Sequence, residues 1–174
     1  LARGQSADDF VAAGVKKLRL DLDFDTAKLL AAPKTGPLVV VANHPFGVLD
    51  GVVVCHLMLK LRSDFRILSN SALYRVPEIH QWLLPVDFTE SEEALATNLK
   101  TRAEARRFLE KGGAVIVFPA GGVATAPTPL AKRAVDAEWK PLTARLILQG
   151  KAPVLPIFFH GQNTLQHAPR SGIV

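Results

Sequence analysis

The sequence predicts an α/β fold: a largely parallel, buried central sheet flanked by helices. Three observations carry this reading. Apolar runs of strand length, at residues 38–42, 114–118 and 154–159, alternate with segments of helix length. Those runs are apolar throughout, which is the pattern of strands covered on both faces. The chain has 174 residues, 48% hydrophobic and 21% charged, enough for one domain with a sizeable core.

At the N-terminus, Ser6 and Asp9 have the spacing of a helix-start box, and Phe10, Val11, Gly14 and Leu18 follow at helical spacing. Lys16, Lys17 and Arg19 cluster there. The segment reads either as an amphipathic, membrane-facing helix or as a surface helix packing one face on the core. Leu20, Leu22 and Phe24 alternate with Asp21, Asp23 and Asp25, the two-residue period of a half-buried strand. A solvated face explains the three aspartates more simply than a bound cation. Pro33 to Pro37 is a turn-rich connector. It separates an N-terminal helix and strand, residues 1–37, from a core, residues 38–174, the two forming one continuous domain.

Residues 38–42 read as a buried strand, 50–61 as an apolar helix and 66–68 as a short strand. A loop and short helix run through Tyr74, Pro77 and Trp82. Thr89 and Glu92 have capping-box spacing. The helix they would start runs to Lys111 and stops at Gly112-Gly113, with Lys100, Arg102, Arg106 and Arg107 on a solvated side. Residues 114–118 form another buried strand, 124–129 a loop of small residues and prolines. Residues 137–150 turn helical after Trp139, with Pro141 in the first turn, and 154–159 form a last buried strand.

Composition narrows the function classes. Cys55 is the only cysteine, so there is no internal disulfide and no cysteine-based zinc site, and a reduced compartment is expected. The net charge of +5 suits anionic lipid or an acidic carrier or substrate. Nucleic acid is not expected, because basic and aromatic residues do not interleave. No run approaches the ~18 apolar residues of a membrane span. Residues 52–59 come nearest, but His56 interrupts them and Lys60 ends them. There is no signal-peptide pattern. A chain that opens at Leu1 and closes at Val174, soon after an apolar strand, reads as trimmed at its ends.

Chemistry concentrates where the first buried strand stops, at Asn43-His44-Pro45-Phe46-Gly47, with Asp50 six positions after the histidine. A neutral imidazole accepts a proton near neutral pH. A carboxylate on its other ring nitrogen fixes the tautomer and stabilises the imidazolium. No serine sits in a nucleophile-elbow pattern, and Cys55 belongs to the apolar helix, where packing explains it. The simplest chemistry has the nucleophile supplied by the substrate: His44 deprotonates an acceptor hydroxyl, which attacks an activated carbonyl. The turn Pro119-Ala120-Gly121-Gly122-Val123 could offer backbone N–H groups to the resulting oxyanion or to a phosphate, or be only a tight strand exit. In parallel sheets, sites form beyond the carboxyl ends of strands, and His44, Gly121 and Gly161 all follow strand ends.

Asn43-His44 with a spaced aspartate, then Phe118-Pro119-Ala120-Gly121-Gly122, then Val154-Leu155-Pro156-Ile157 ahead of Gly161, resembles the glycerolipid acyltransferase superfamily, whose members are similar to 1-acylglycerol-3-phosphate acyltransferase. The Asn-His-Pro-Phe-Gly form is similar to the bacterial haemolysin-like and ornithine-lipid acyltransferase branch. The resemblance spans residues 38–161. It implies an O-acyltransferase of lipid metabolism, with His44 as general base and Asp50 as its partner. It also implies substrate contacts from Asn43, Phe46 and Gly47 and from Phe118, Pro119, Ala120, Gly121 and Gly122, with residues 154–157 lining an acyl site. The donor would be an acyl thioester of coenzyme A or acyl carrier protein, and the acceptor a hydroxyl of a lysolipid. No bound cofactor or metal is implied. The setting would be peripheral, on the cytoplasmic side of a bacterial inner membrane.

This chain departs from the family pattern in three places. Five residues separate His44 from Asp50, one more than is common, and Gly47 could absorb the extra one. Ala120 and Gly122 replace a carboxylate and a hydroxyl. The second block reads Pro85-Val86-Asp87-Phe88, without its phosphate-binding arginine, for which Arg75, Lys132 or Arg133 could substitute. Among the other histidines, His160 follows the last strand and is a candidate substrate contact by position. His56 reads as packed on its helix, His80 has no evident partner, and His167 lies in a polar tail. Histidine spacings for a metal site are absent. Two rival readings keep the same fold: a non-catalytic lipid- or acyl-binding module, and an acyl hydrolase.

Overall fold

Every residue of Leu38–Ala42 is buried, and this run forms strand β1. It pairs in parallel with β4 (Ala114–Val117) on one side and β5 (Val154–Ile157) on the other. Beyond β4, β2 (Phe65–Asn70) and β3 (Leu83–Val86) complete a five-stranded, all-parallel sheet in the order β3-β2-β4-β1-β5. The architecture is that of a computed structural model describing residues 6–128 and 133–162.

Parallel strands need crossovers, and helices supply them on both faces. Alternate residues of β1 point to opposite faces. Leu38 and Val40 join Phe65, Ile116 and, from α3 (Val48–Leu61), Val54 and Met58 in one apolar cluster. Val39 and Val41 join Ala105 and Leu109 of α4 (Glu92–Glu110) and Leu146 of α5 (Pro141–Gly150) in the other. Helix α1 (Ala7–Lys17) packs on α3 and buries Ala7 and Val11 in the first cluster, so one face of it belongs to the core. Ser6 caps α1 as its spacing requires, its Oγ accepting from Asp9 N–H at 3.1 Å. Among the described residues no helix is long and apolar enough to cross a membrane.

Several expectations are corrected. Residues 20–24 form no strand. Leu20, Leu22 and Phe24 are each half-buried between exposed aspartates, but no sheet edge pairs with them. Asp25 instead caps a short helix, α2 (Thr26–Leu30), by accepting from Lys28 N–H at 3.0 Å. The cap of α4 is Ser91, which accepts from Ala94 N–H at 3.1 Å, whereas Thr89 bonds back to Asp87. β5 is not a buried strand. It is the sheet edge, with Val154 and Pro156 exposed, and it ends at Ile157. No strand is expected from the sequence at residues 83–86, yet β3 forms there with Pro85 inside it; it lies at the opposite sheet edge, where proline is tolerated. Pro129, Lys132 and His167 lie outside the described residues.

Before the strands begin, buried Arg62 ties their entries together. It donates to both carboxylate oxygens of Asp64 at 2.7 and 2.6 Å, to Gly36 O at 2.7 Å and to Gly112 O at 2.6 Å. The bond from Arg62 holds the Asp64 carboxyl below its ordinary range. With all strands parallel, their carboxyl ends share the other edge, where Asn43, Phe118 and Phe158 emerge together.

Candidate active site

Beyond β1, the chain bends through Pro45 and Phe46 and enters α3 at Gly47. Gly47 has φ +69° and ψ −125°, a conformation essentially reserved for glycine. This bend absorbs the extra residue. It lays the first turn of α3 back under the histidine, and His44 Nδ1 stands 2.9 Å from Asp50 Oδ2. The same oxygen accepts from Phe46 N–H at 2.8 Å, so one carboxylate fixes both the imidazole and the bend. Asp50 is 1% exposed, and its Oδ1 has no partner among the described residues. With Nδ1–H donating to the carboxylate, the free lone pair of the neutral ring resides on Nε2.

Three further contacts set His44 in place. Its ring stacks on Phe118, the residue after β4, with centroids 4.1 Å apart and planes at 26°. Its backbone N–H donates to Asp136 Oδ1 at 3.1 Å, and its carbonyl accepts from Ala124 N–H at 2.8 Å. Neither Asp136 nor Ala124 was singled out in the sequence, where Asp136 lies 92 positions after His44 and no local pattern marks it.

The glycine turn after Phe118 is tightly held. Gly121 N–H donates to Phe118 O at 3.0 Å, so that amide is spent inside the turn. Among the described residues, the N–H groups of Ala120, Gly122 and Val123 donate to no protein atom, and of these Gly122 and Val123 belong to residues that line the cavity of His44. Gly121 has φ +76°, and a β-carbon there would stand 3.3 Å from Lys140 Nζ and 3.4 Å from Phe88. Ala120 is buried within the turn.

His44, Gly121, Gly122 and Val123 line a cavity of about 1470 Å³. Its charged lining is four cations (Lys17, Arg102, Lys140 and Arg145) against one carboxylate, Asp87. Lys140 is tied to the turn, its backbone N–H donating to Pro119 O at 3.0 Å, and its ammonium lies 5.6 Å from the centre of the Phe88 ring. No carboxylate among the described residues pairs with it. The cations expected to replace the missing arginine are elsewhere: Arg75 lines neither large cavity and Arg133 borders a second one.

Gly47, Phe118 and Pro119 line the same cavity as His44, whereas Asn43, Phe46, Ala120 and His160 do not. Asn43 exchanges two bonds with the Phe159 backbone, at 3.0 and 2.7 Å, and so fastens the exit of β1 to that of β5. It and His160 line the second cavity, of about 1370 Å³, where His160 meets Phe158 edge-on at 4.8 Å. Gly161 has φ +104°, and a β-carbon there would touch Phe46 at 3.0 Å, so Phe46 packs against the β5 exit. Cys55 is buried and its thiol is pushed up to about 12 by burial. His56 is held below the ordinary histidine range, first by burial and then by the Lys60 charge. His80 bonds to the Tyr74 carbonyl. Among the described residues no group of three or more His, Cys, Asp or Glu could hold a metal ion.

A sequence model of the acyltransferase family matches residues 26–160, a span that contains all of these features from β1 to His160. The chain is 26% identical over 150 residues to a lyso-glycine lipid O-acyltransferase of Phocaeicola vulgatus, covering 83% of this chain and 50% of that protein. It is 25% identical over 146 residues to a lyso-glycine lipid O-acyltransferase of Bacteroides thetaiotaomicron, covering 83% and 51%. The chain thus spans about half the length of the curated relatives it matches. Its fold is similar to that of the 1-acyl-sn-glycerophosphate acyltransferase PlsC from Thermotoga maritima, with a TM-score of 0.57, 18% identity and coverage of 86% of this chain and 54% of that one.

Proposed function

The chain belongs to the acyltransferase family, and from that premise we propose that it moves an acyl group from a thioester to a lysolipid hydroxyl, with His44 as general base. His44 Nε2 takes the hydroxyl proton as the acceptor oxygen attacks the thioester carbonyl. A carbon–oxygen bond forms, and the carbonyl oxygen gathers negative charge, which the Gly122 and Val123 N–H groups receive. Collapse breaks the carbon–sulfur bond, and the imidazolium returns its proton to the departing thiolate. Asp50 stabilises the imidazolium throughout. The route needs no acyl-enzyme, and Cys55, buried with its thiol pushed up to about 12, is a poor nucleophile for one.

The observation that carries this reading is the 2.9 Å His44–Asp50 contact at the wall of the large cavity. That cavity, at about 1470 Å³, exceeds the ~300–1,000 Å³ of ordinary small-molecule sites and has room for an acyl chain together with a headgroup. Its excess of cations suits an acceptor with an anionic headgroup, and Lys140, beside the glycine turn, is the cation to read it. Leu18, Val48, Phe88, Leu99 and Val123 line the cavity and remain exposed, an apolar rim among cations that fits an anionic lipid surface. The protein would work peripherally, on the cytoplasmic face of the inner membrane. The donor is acyl-coenzyme A or acyl-acyl carrier protein.

Incubating the protein with both donors and a panel of lysolipids, then identifying products by mass spectrometry, tests this. Acceptor-dependent appearance of an acylated lysolipid is expected. Free fatty acid released without acceptor would make the protein a hydrolase. Lipid binding with no turnover on any donor would make it a binding module.

A further inference from the structure

The contacts that fix His44 by its backbone come from the segment between β4 and α5, outside the histidine–aspartate pair. Ala124 N–H reaches the His44 carbonyl at 2.8 Å. The next residue, Thr125, exchanges two backbone bonds with Val135, at 3.1 and 3.0 Å. Asp136, directly after Val135, turns its carboxylate to two donors: Oδ1 accepts from His44 N–H at 3.1 Å and Oδ2 from Trp139 Nε1 at 3.1 Å. The backbone of the histidine is therefore held at both its N–H and its carbonyl by residues of this segment.

His44 stands just beyond the last β1 residue, past the ladder that satisfies strand amides. An inward amide there needs another acceptor, and a carboxylate is a strong one. Asp50 fixes only one ring nitrogen and Phe118 only one ring face. With those two constraints, the placement of Nε2 still depends on where the backbone puts Cα. We propose that Asp136 is a positioning residue of the transfer reaction: by holding the His44 peptide it aims Nε2 at the acceptor hydroxyl. This rests on the reading of His44 as the base. A displacement of about 1 Å at a reacting atom costs on the order of 100-fold in rate. Substrate binding, which depends on the cavity walls, should be spared.

The test compares Asp136→Ala with Asp136→Asn in the whole protein. Asparagine keeps an oxygen for His44 N–H but loses the acceptor for the Trp139 indole. Asp136→Ala should lower kcat by about 10- to 100-fold with KM for donor and acceptor unchanged. Asp136→Asn should restore most of it. An alanine variant within about threefold of wild type, a loss confined to KM, or an asparagine variant as poor as alanine overturns the proposal. His44 ring signals and amide exchange, read by NMR without any substrate, form the second arm. Asp136→Ala should speed exchange of the His44 N–H and move the ring signals, and unchanged ring signals again overturn the proposal. If wild type proves inactive on every donor, the functional reading fails and this arm still decides whether Asp136 positions the ring.

Discussion

A β-carbon on Gly47 would stand 3.3 Å from Cγ2 of Val123. Gly47 starts α3 with φ +69°, and Val123 follows the glycine turn beyond β4, so the contact presses the histidine bend against the proposed oxyanion donors. Gly47→Ala therefore meets both backbone strain and crowding. It is expected to cost about 1–3 kcal/mol of stability. It should also open the His44–Asp50 pair and lower kcat by at least tenfold. Urea unfolding and steady-state kinetics on the same sample check both effects. A variant as stable and active as wild type would show that the bend does not depend on glycine.

Lys140 is expected to act on acceptor affinity. A hydrogen bond to a charged group contributes about 1.5–3 kcal/mol. Lys140→Gln should accordingly raise KM about 10- to 100-fold for lysolipids with a carboxylate or phosphate headgroup, and leave a neutral monoacylglycerol unaffected. Lys140→Arg should retain most of the affinity. Equal losses on charged and neutral acceptors would remove Lys140 as the headgroup residue.

Arg62 is expected to matter for stability alone. Arg62→Met strands the carbonyls of Gly36 and Gly112 and breaks a pair whose arginine side is buried. A loss of about 1–3 kcal/mol per stranded carbonyl is expected, the exposed Asp64 carboxylate adding little, with activity per folded molecule unchanged. The pH dependence has a defined sign. The Asp64 carboxyl is held below its ordinary value of 3.8, so its contribution is present above that pH and lost as pH falls through the lower folded value. Denaturant midpoints from neutral to strongly acidic pH should fall less steeply in Asp64→Asn than in wild type.

Cys55 separates direct transfer from an acyl-enzyme route. A buried thiol pushed up to about 12 should resist thiol reagents at pH 8 until the protein unfolds. Cys55→Ala should retain transfer. Loss of transfer with the fold intact would point to a cysteine intermediate.

The strands that hold the site were legible because β1 and β4 are buried on both faces and so read as unbroken apolar runs. The histidine and its aspartate were legible because they are close in the chain. What failed depended on partners. Residues 20–24 carry the alternation of a strand but find no sheet edge, while β3 is a strand despite Pro85 because it lies at an edge. The part Asn43 plays in fastening Phe159 depends on a partner 116 positions away and had no local signal. Asp136 and Lys140 come from the far side of β4, and only the folded crossover brings them to His44 and Gly121.

Steady-state transfer by His44→Ala, with acylated lysolipid quantified by mass spectrometry, bears on the whole mechanism. General-base catalysis contributes about 10²–10⁴-fold. The variant should lose kcat by that factor, keep KM for donor and acceptor near wild type, and unfold at the wild-type denaturant midpoint within experimental error. Undiminished kcat in a folded His44→Ala protein would contradict the assignment of His44 as the base, and with it the route from hydroxyl to ester.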